Sequence, residues 1–150
     1  MTGLPLRLEP ARLDVLVDEC LDEAEPEISG RSLSVARLLA RAIPEHPLDR
    51  LLMKEAVRAL LDEAIRRAGE AARLRVMVKS GPNALMFAVK APGAGLDAAQ
   101  REALFEKKPL PGTPARARAI VTAHGGSVWA NGMPGKGVTF YATLPVRRAP

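Results

Sequence analysis

The chain has 150 residues, 47% of them hydrophobic and 26% charged, which suits a soluble globular protein with one core. Its net charge of +5 is spread over 22 basic and 17 acidic residues, and only 3% of residues are aromatic, so the composition argues against nucleic-acid binding. A single cysteine, Cys20, excludes an internal disulfide framework and a cysteine-based zinc site. No apolar run approaches the roughly 20 residues that span a bilayer, and the N-terminus lacks a signal peptide's apolar stretch. We therefore expect a cytoplasmic protein with no membrane segment in this chain.

The first half of the chain is predicted to form two helices separated by a strand. Apolar residues at helical spacing predict a helix from about Pro10 to Glu25, with Pro10 at the first helical position. Alternating residues over 33–37 predict a strand. A second, longer helix is predicted from the N-cap Asp49 to about Ala68, which precedes a glycine.

The second half is predicted to form a hairpin, two helices and a final hairpin. Strands are expected at 74–78 and 85–89, helices from Asp97 to Phe105 and from Thr113 to about Gly125, and strands around Val128 and over 138–146. This order predicts an α/β two-layer sandwich, in which a mixed, mostly antiparallel sheet carries about three main helices on one face. No linker is long enough to divide it, so residues 1–150 are expected to form a single domain.

The segment from His124 to Pro145 carries the strongest motif: a helix-ending His-Gly-Gly corner, a strand, a Pro-Gly-Lys-Gly turn and a last strand ending in Leu-Pro. This segment resembles the end of the ATP-binding domain of two-component sensor histidine kinases. The resemblance covers nearly the whole chain and implies the Bergerat-type fold shared with gyrase-type and Hsp90-type ATPases. The matching residues are Gly125, Gly126, Trp129, Pro134, Gly135, Gly137, Thr139, Phe140, Leu144 and Pro145.

The resemblance places a magnesium-binding motif on the second helix, where the family has Asn-Leu-Leu-x-Asn-Ala-Ile. Here residues 59–65 read Ala-Leu-Leu-Asp-Glu-Ala-Ile, so Ala59 and Glu63 replace both asparagines. Glu63 stands where the family holds Mg²⁺ and is a candidate ligand through its carboxylate oxygens. We favour the alternative that Glu63 pairs with Arg67, and Asp62 with Arg66, at i,i+4 spacing.

The resemblance places adenine recognition at Asp-x-Gly-x-Gly, which here reads Ala91-Pro92-Gly93-Ala94-Gly95. The two glycines, Gly93 and Gly95, are kept and predict that the backbone turn survives. The aspartate that would accept the adenine amino group is replaced by Ala91. Thr139 is expected beside that position and has lost its partner.

The resemblance places phosphate binding at a second glycine motif, at the start of the last helix. Gly112 is kept there, but Pro114 has no amide to donate and Thr113 is expected to cap the first turn itself. The mobile loop that normally precedes this motif is reduced to residues 107–112. Arg116 and Arg118 are the groups left that could attract an anion.

Other chemistries have less support. His46 and His124 lie in a proline-flanked loop and at a helix end, and we expect a structural role for His124. No metal-ligand spacing, Walker loop or nucleophile elbow is present, so no catalytic residue is assigned. No phosphoacceptor histidine on a dimerisation helix is found either.

The favoured hypothesis is a kinase-type ATPase domain that serves two-component signalling as a regulatory or interaction module, with ATP binding weak or lost. It expects no cofactor and a protein partner, either a kinase core or a response regulator. The first alternative is an enzyme: a sensor histidine kinase or a related serine kinase that uses ATP and Mg²⁺. A fragment of a histidine phosphotransferase is the further alternative.

Overall fold

Residues 4–40, 42–132 and 134–146 are the part of the chain that the computed structural model describes. They form five helices and seven strands. In chain order these are β1 (Glu9–Ala11), α1 (Leu13–Glu23), α2 (Glu25–Gly30), β2 (Ser34–Leu39), β3 (His46–Leu48), α3 (Arg50–Arg67), β4 (Arg73–Ser80), β5 (Ala84–Ala91), α4 (Ala98–Glu106), α5 (Pro114–Ala123), β6 (Ser127–Gly132) and β7 (Val138–Pro145).

The main sheet has five strands in the order β2-β4-β5-β7-β6, and a separate two-stranded sheet joins β1 to β3. β2 runs parallel to β4, while the other neighbours in the main sheet are antiparallel. Helices α1, α3 and α5 pack on one face of this sheet, where alternate strand residues such as Val76, Phe87 and Phe140 are buried. The predicted two-layer sandwich with a mixed, mostly antiparallel sheet is confirmed.

The predicted starts of α3 and α4 are confirmed by their N-caps. The Asp49 side chain accepts a hydrogen bond from the Leu52 amide at 3.0 Å at the start of α3. Asp97 and Gln100 form a reciprocal capping box on α4. Each cap satisfies amides that the helix itself leaves free.

The prediction for the first helix is wrong at both ends. Pro10 lies in β1, opposite Pro47 of β3, and α1 starts only at Leu13. At the other end α1 stops at Glu23, and Glu25 and Pro26 begin the separate helix α2, which was not predicted. A proline suits an edge strand as well as a first helical turn, and the competing strand partner lies about 37 residues away in the sequence, so local periodicity could not resolve it.

A ladder of ion pairs joins α1 and α2 to α3. Each pair spans 31 positions in the sequence, and the bases lie four residues apart along α3. The pairs are Arg50–Glu19 at 2.7 Å, Lys54–Glu23 at 2.6 Å and Arg58–Glu27 at 3.1 Å. Because the numbers rise together on both sides, α1 and α3 run in the same direction.

Within the part of the chain that the structure describes, no helix has both the length and the apolar character needed to cross a bilayer.

Candidate functional site

Helix α3 carries the two positions where the resemblance predicts asparagines. Ala59 and Glu63 are one turn apart, and their residues are 1% and 6% exposed. The Ala59 methyl group can neither donate nor accept a hydrogen bond. Any polar role at that position is therefore absent, and the chemistry of this helix face depends on Glu63.

Both carboxylate oxygens of Glu63 are bound by arginines of the same helix. Nη2 of Arg66 lies 2.5 Å from Oε1, and Nε of Arg67 lies 2.6 Å from Oε2. The pairing with Arg67 was predicted and is confirmed. A buried carboxylate needs such partners, and the two guanidinium groups occupy one acceptor site on each oxygen and place positive charge where a cation would bind.

The predicted pairing of Asp62 with Arg66 is wrong. Asp62 instead accepts a hydrogen bond from Nε of Arg58, one turn earlier, at 3.1 Å. Arg66 is drawn to Glu63, because the more deeply buried carboxylate gains more from a charged partner.

The loop after β5 packs directly against the end of α3. The Gly69 amide donates to the Pro92 carbonyl at 2.8 Å, and Gly93 forms an isolated bridge with Ala68. A Cβ atom on Gly93, whose φ is 155°, would lie 2.8 Å from the carbonyl oxygen of Arg67. Gly93 thus lies where no side chain fits, which agrees with the prediction that the glycines preserve this backbone turn.

Arg31 closes the same end of α3 from the other side, a contact that the sequence did not reveal. Its guanidinium donates to the carbonyl oxygens of Ile65 and Ala68, the latter at 2.8 Å. These carbonyls have no partner within the helix. The end of α3 is therefore fixed by a side chain from one direction and by the Gly93 loop from the other.

The turn between β6 and β7 covers the outer side of this loop. The Gly135 amide donates to the Ala94 carbonyl at 2.5 Å, and the Gly137 amide donates to the Gly93 carbonyl at 3.0 Å. A Cβ on Gly137 would lie 2.5 Å from the Ala91 carbonyl oxygen. Gly135 and Gly137 therefore belong to this site, although sequence analysis assigned them only to the fold. The closing motif contains both glycines, but the motif does not indicate that they contact the loop after β5.

Ala91 ends β5 with its side chain fully buried. The expectation that Thr139 lies beside it is wrong, because Val138 is the residue opposite Ala91 in the β5–β7 register. Thr139 pairs with Lys90 instead, and successive strand residues point to opposite faces of a sheet. The only neighbour that the register gives Ala91 across β7 is thus apolar.

The connection between α4 and α5 is short, as predicted, and the structure shows that it is internally hydrogen-bonded. The Thr113 hydroxyl donates to the Leu110 carbonyl at 2.7 Å and accepts from the Arg116 amide at 3.1 Å, which confirms Thr113 as the N-cap. Gly112 has a φ of 84° and open space around it. Because Pro114 has no amide hydrogen and Thr113 caps the first turn, the start of α5 offers fewer free amides to an anion than an uncapped helix start.

The two arginines of α5 that could attract an anion already have partners within the protein. Nε of Arg116 lies 2.6 Å from Oε2 of Glu55, which ties α5 to α3. The guanidinium of Arg118 lies 5.0 Å from the centre of the Phe105 ring, within cation–π range.

The structural role expected for His124 is supported by its contacts. Its Nδ1 lies 2.8 Å from the Ile120 carbonyl oxygen, and its Nε2 accepts from the Asp49 amide at 3.0 Å. The Asp49 carboxylate also accepts a hydrogen bond from the Arg7 amide, and that bond holds the pKa of its carboxyl below the usual range.

Burial lowers the pKa of the nearby His46 and raises the pKa of the Cys20 thiol to about 12. Cys20 is thus an unreactive core residue.

The predicted nucleotide positions converge only in part. Gly93 meets the end of α3, and Ala91 and Gly95 flank it in the same loop, whereas Gly112 lies on the α4–α5 connection. Two surface cavities of about 340 and 560 Å³ lie elsewhere, beside α4 and α5; Arg118 lines both, but neither is lined by Ala59, Glu63, Ala91, Thr139 or the predicted glycines. In the described ranges no group of three or more His, Cys, Asp or Glu side chains is placed to hold a metal ion.

Residues 48–148 match the family described as histidine kinase-, DNA gyrase B- and HSP90-like ATPases. The chain belongs to this ATPase family. The match begins just before α3 and runs past β7, so it includes all the predicted nucleotide positions from Ala59 to Thr139, and the domain is of the histidine kinase type.

Curated relatives of this ATPase-family chain are sensor proteins. It is 28% identical over 155 residues to the alginate biosynthesis sensor protein KinB of Pseudomonas aeruginosa, covering 97% of this chain and 26% of KinB. It is 31% identical over 160 residues to the sensor protein KdpD of Escherichia coli strain K12, covering 99% of this chain and 17% of KdpD. The chain thus spans about a quarter or less of the length of these proteins.

Solved structures show the same fold. Full-length ShkA in complex with AMPPNP matches with a TM-score of 0.85 at 19% identity, over 99% of this chain and 33% of that one. Histidine kinase ThkA in complex with the response regulator protein TrrA matches with a TM-score of 0.80 at 20% identity, over 92% of this chain and 41% of that one.

Proposed function

We propose that this domain acts in two-component signalling as a regulatory or protein-interaction module in which binding of ATP and Mg²⁺ is weak or lost. The observation that carries the proposal is Glu63, whose two carboxylate oxygens are each held within 2.6 Å by a guanidinium group. The two curated relatives described above, which align with most of this chain, are sensor proteins. A response regulator or a kinase core is the partner that this role requires.

The residues present do not fit a Mg²⁺-nucleotide in the way the family resemblance implies. Mg²⁺ demands near-octahedral oxygen ligands, and here the nearest candidate carboxylate would first have to release Arg66 and Arg67. A bare, buried carboxylate beside triphosphate oxygens would also add like charge. This chemistry favours a site that has lost its metal.

The adenine position points the same way. Ala91 is fully buried and carries no acceptor for an amino group. The loss of one charge-assisted hydrogen bond costs about 1.5–3 kcal/mol of binding free energy, which corresponds to roughly 10- to 150-fold in affinity. Adenine specificity would be lost together with affinity.

The test is thermal unfolding and calorimetric titration with AMPPNP and Mg²⁺. A ligand at a hundredfold excess over its Kd stabilises a protein by about 2.7 kcal/mol, which for a domain of this size raises Tm by roughly 5–11 °C. We expect no such shift at millimolar AMPPNP. A saturable shift that disappears when Mg²⁺ is removed would refute the proposal.

A gain-of-binding variant makes the negative result informative. The triple variant Ala59→Asn, Glu63→Asn and Ala91→Asp restores the side chains that the family resemblance implies. Binding of AMPPNP by this variant but not by the parent would attribute the loss to these three positions. The matched control is Asp62→Asn, which removes a neighbouring carboxylate outside the proposed metal position.

The second candidate is an active ATP-binding domain with unusual ligands, as in a sensor histidine kinase or a related serine kinase. The intact turn at Gly93 and the likeness to ShkA, which was solved with AMPPNP, favour it. It predicts that Glu63→Ala abolishes Mg²⁺-dependent binding. If the parent protein binds no nucleotide at millimolar concentration, this candidate is excluded.

A further inference from the structure

An apolar row crosses the open face of the main sheet, the face opposite the helices. The registers of all four strand pairs align one residue from each strand: Leu38 faces Met77, Met77 faces Ala88, Ala88 faces Tyr141, and Tyr141 faces Trp129. Leu38 and Trp129, at the two ends of the row, are 42% and 37% exposed. The row is therefore apolar from one edge of the sheet to the other, with Ala88 at its centre fully buried and the four other side chains accessible to a partner.

Basic residues flank this row on β4 and β5, whereas at its β6 end Glu102 and Glu106 of α4 line a cavity together with Trp129. None of the five strands contains Asp or Glu, while Arg73, Arg75, Lys79 and Lys90 are exposed on the open face. Among the residues that the structure describes, none of these four forms an ion pair. Arg37, which points to the helix side, is by contrast paired with two aspartates of α1. Charged residues are scattered along the sequence, but the fold brings these four positive side chains together on the open face.

We infer that this open face docks an acidic amphipathic helix of a protein partner. Five strands spaced about 4.8 Å apart give the row a length of roughly 19 Å, which about 13 residues of helix would cover. An apolar stripe on such a helix would contact the row, and flanking carboxylates would meet the four basic side chains. The inference rests on the proposed interaction role and specifies the surface that would serve it.

Other occupants fit the face less well. A second copy of the chain would place four unpaired positive charges against four more. For a single-stranded nucleic acid, the two aromatic rings are already stacked on each other, with centroids 5.1 Å apart and planes 12° apart, which leaves no gap for a base between them. Leu38 and Met77 offer no aromatic surface for stacking either.

Trp129 is the only tryptophan of the chain and lies in the row, so its fluorescence reports binding at this face directly. The probe is a designed 18-residue helical peptide with a leucine stripe flanked by glutamates and without aromatic residues. Its matched control has the same leucines flanked by lysines. We expect a saturable change of Trp129 emission with the acidic peptide and none with the basic one.

Two pairs of variants separate this face from the rest of the surface. The double variant Arg75→Glu and Lys90→Glu, which reverses two charges that are neighbours in register, is expected to weaken binding by roughly tenfold or more. Lys108→Glu, on the exposed α4–α5 connection, should leave binding unchanged. Leu38→Ser should weaken binding, whereas Leu51→Ser, at an exposed position of α3, should not. Circular dichroism checks that each variant is folded.

Four results would overturn the inference, and three of them concern the peptides and variants: no saturation by the acidic peptide at millimolar concentration, equal binding of the basic peptide, or equal weakening by the control variants. Tighter binding of a 12-nucleotide oligothymidine than of the acidic peptide would overturn it in favour of nucleic acid. No nucleotide triphosphate is present in these titrations, so failure here is distinct from failure of the ATP proposal.

Discussion

Replacing Gly137 by alanine should destabilise the protein more than the same change at Gly135, although both glycines lie in the β6–β7 turn with a φ of 80°. The difference lies in what surrounds them. A Cβ at Gly137 would be 2.5 Å from the Ala91 carbonyl oxygen and 3.0 Å from the Cα of Pro92, whereas at Gly135 nothing lies within 4 Å. Backbone atoms of the β5 loop cannot move aside as a flexible side chain would.

The magnitude follows from two separable costs. A left-handed conformation costs a non-glycine residue about 1–2 kcal/mol, and this applies equally to both positions. Overpacking adds about 1–3 kcal/mol at Gly137 alone. We therefore expect free energies of unfolding to fall by about 1–2 kcal/mol for Gly135→Ala and by about 2–5 kcal/mol for Gly137→Ala.

Urea unfolding followed by circular dichroism measures both variants, and an unchanged m-value would confirm that only stability has changed. Gly112→Ala, with a φ of 84° and open surroundings, is the second control and should behave like Gly135→Ala. Equal losses at Gly135 and Gly137 would refute the reasoning, because they would show that the turn does not press on the Ala91–Gly93 loop.

Three further predictions concern titratable groups. Burial lowers the pKa of His46 below its ordinary value of about 6.5, so the stability that the neutral imidazole contributes is present above that pH and is lost as pH falls through the folded-state pKa. His46→Gln should therefore make the urea unfolding midpoint less dependent on pH between 7.5 and 5. An unchanged dependence on pH would contradict this. The amide of Arg7 holds the pKa of Asp49 low, so the stability that this carboxylate contributes should be lost only in acid. Asp49→Ala should lower the free energy of unfolding by about 1–2 kcal/mol at pH 7, and Asp49→Asn should lower it by less. Cys20, with its thiol pKa raised to about 12, should resist a thiol reagent at pH 8 until urea unfolds the protein; rapid labelling of the native state would show that it is not buried.

Long, strongly periodic or capped elements could be predicted from the sequence. Asp49, Asp97 and Thr113 each mark a helix start by a local rule, and the structure has a cap at each. The N-terminal segment could not be predicted in this way, because Pro10 pairs with a strand beyond α2 and β2. Local patterns contain no information about a partner so distant in sequence.

The site was predictable in composition but not in geometry. Substitutions such as Ala91 were visible once the motif was aligned, and i,i+4 spacing indicated the Glu63–Arg67 pair. Which face Thr139 occupies depends on the β5–β7 register, and the contact of Gly137 with the β5 loop depends on the approach of two turns. Neither property is encoded in a stretch of neighbouring residues.

The ion-pair ladder between α1–α2 and α3 has a consequence for how these helices find their alignment. Its rungs recur every four residues, so sliding α3 by one turn would still set Arg50 against Glu23 and Lys54 against Glu27 and keep two of the three pairs. Because all three bases lie on α3 and all three acids on α1 and α2, a reversed helix would also bring opposite charges together, so charge alone fixes neither the direction of the helices nor the turn at which they meet. The final axial position must come from contacts that do not repeat, such as the His124 ring accepting the Asp49 amide. Removing one rung should therefore change the salt sensitivity of stability and leave the alignment of α3, which its buried side chains also hold, unchanged.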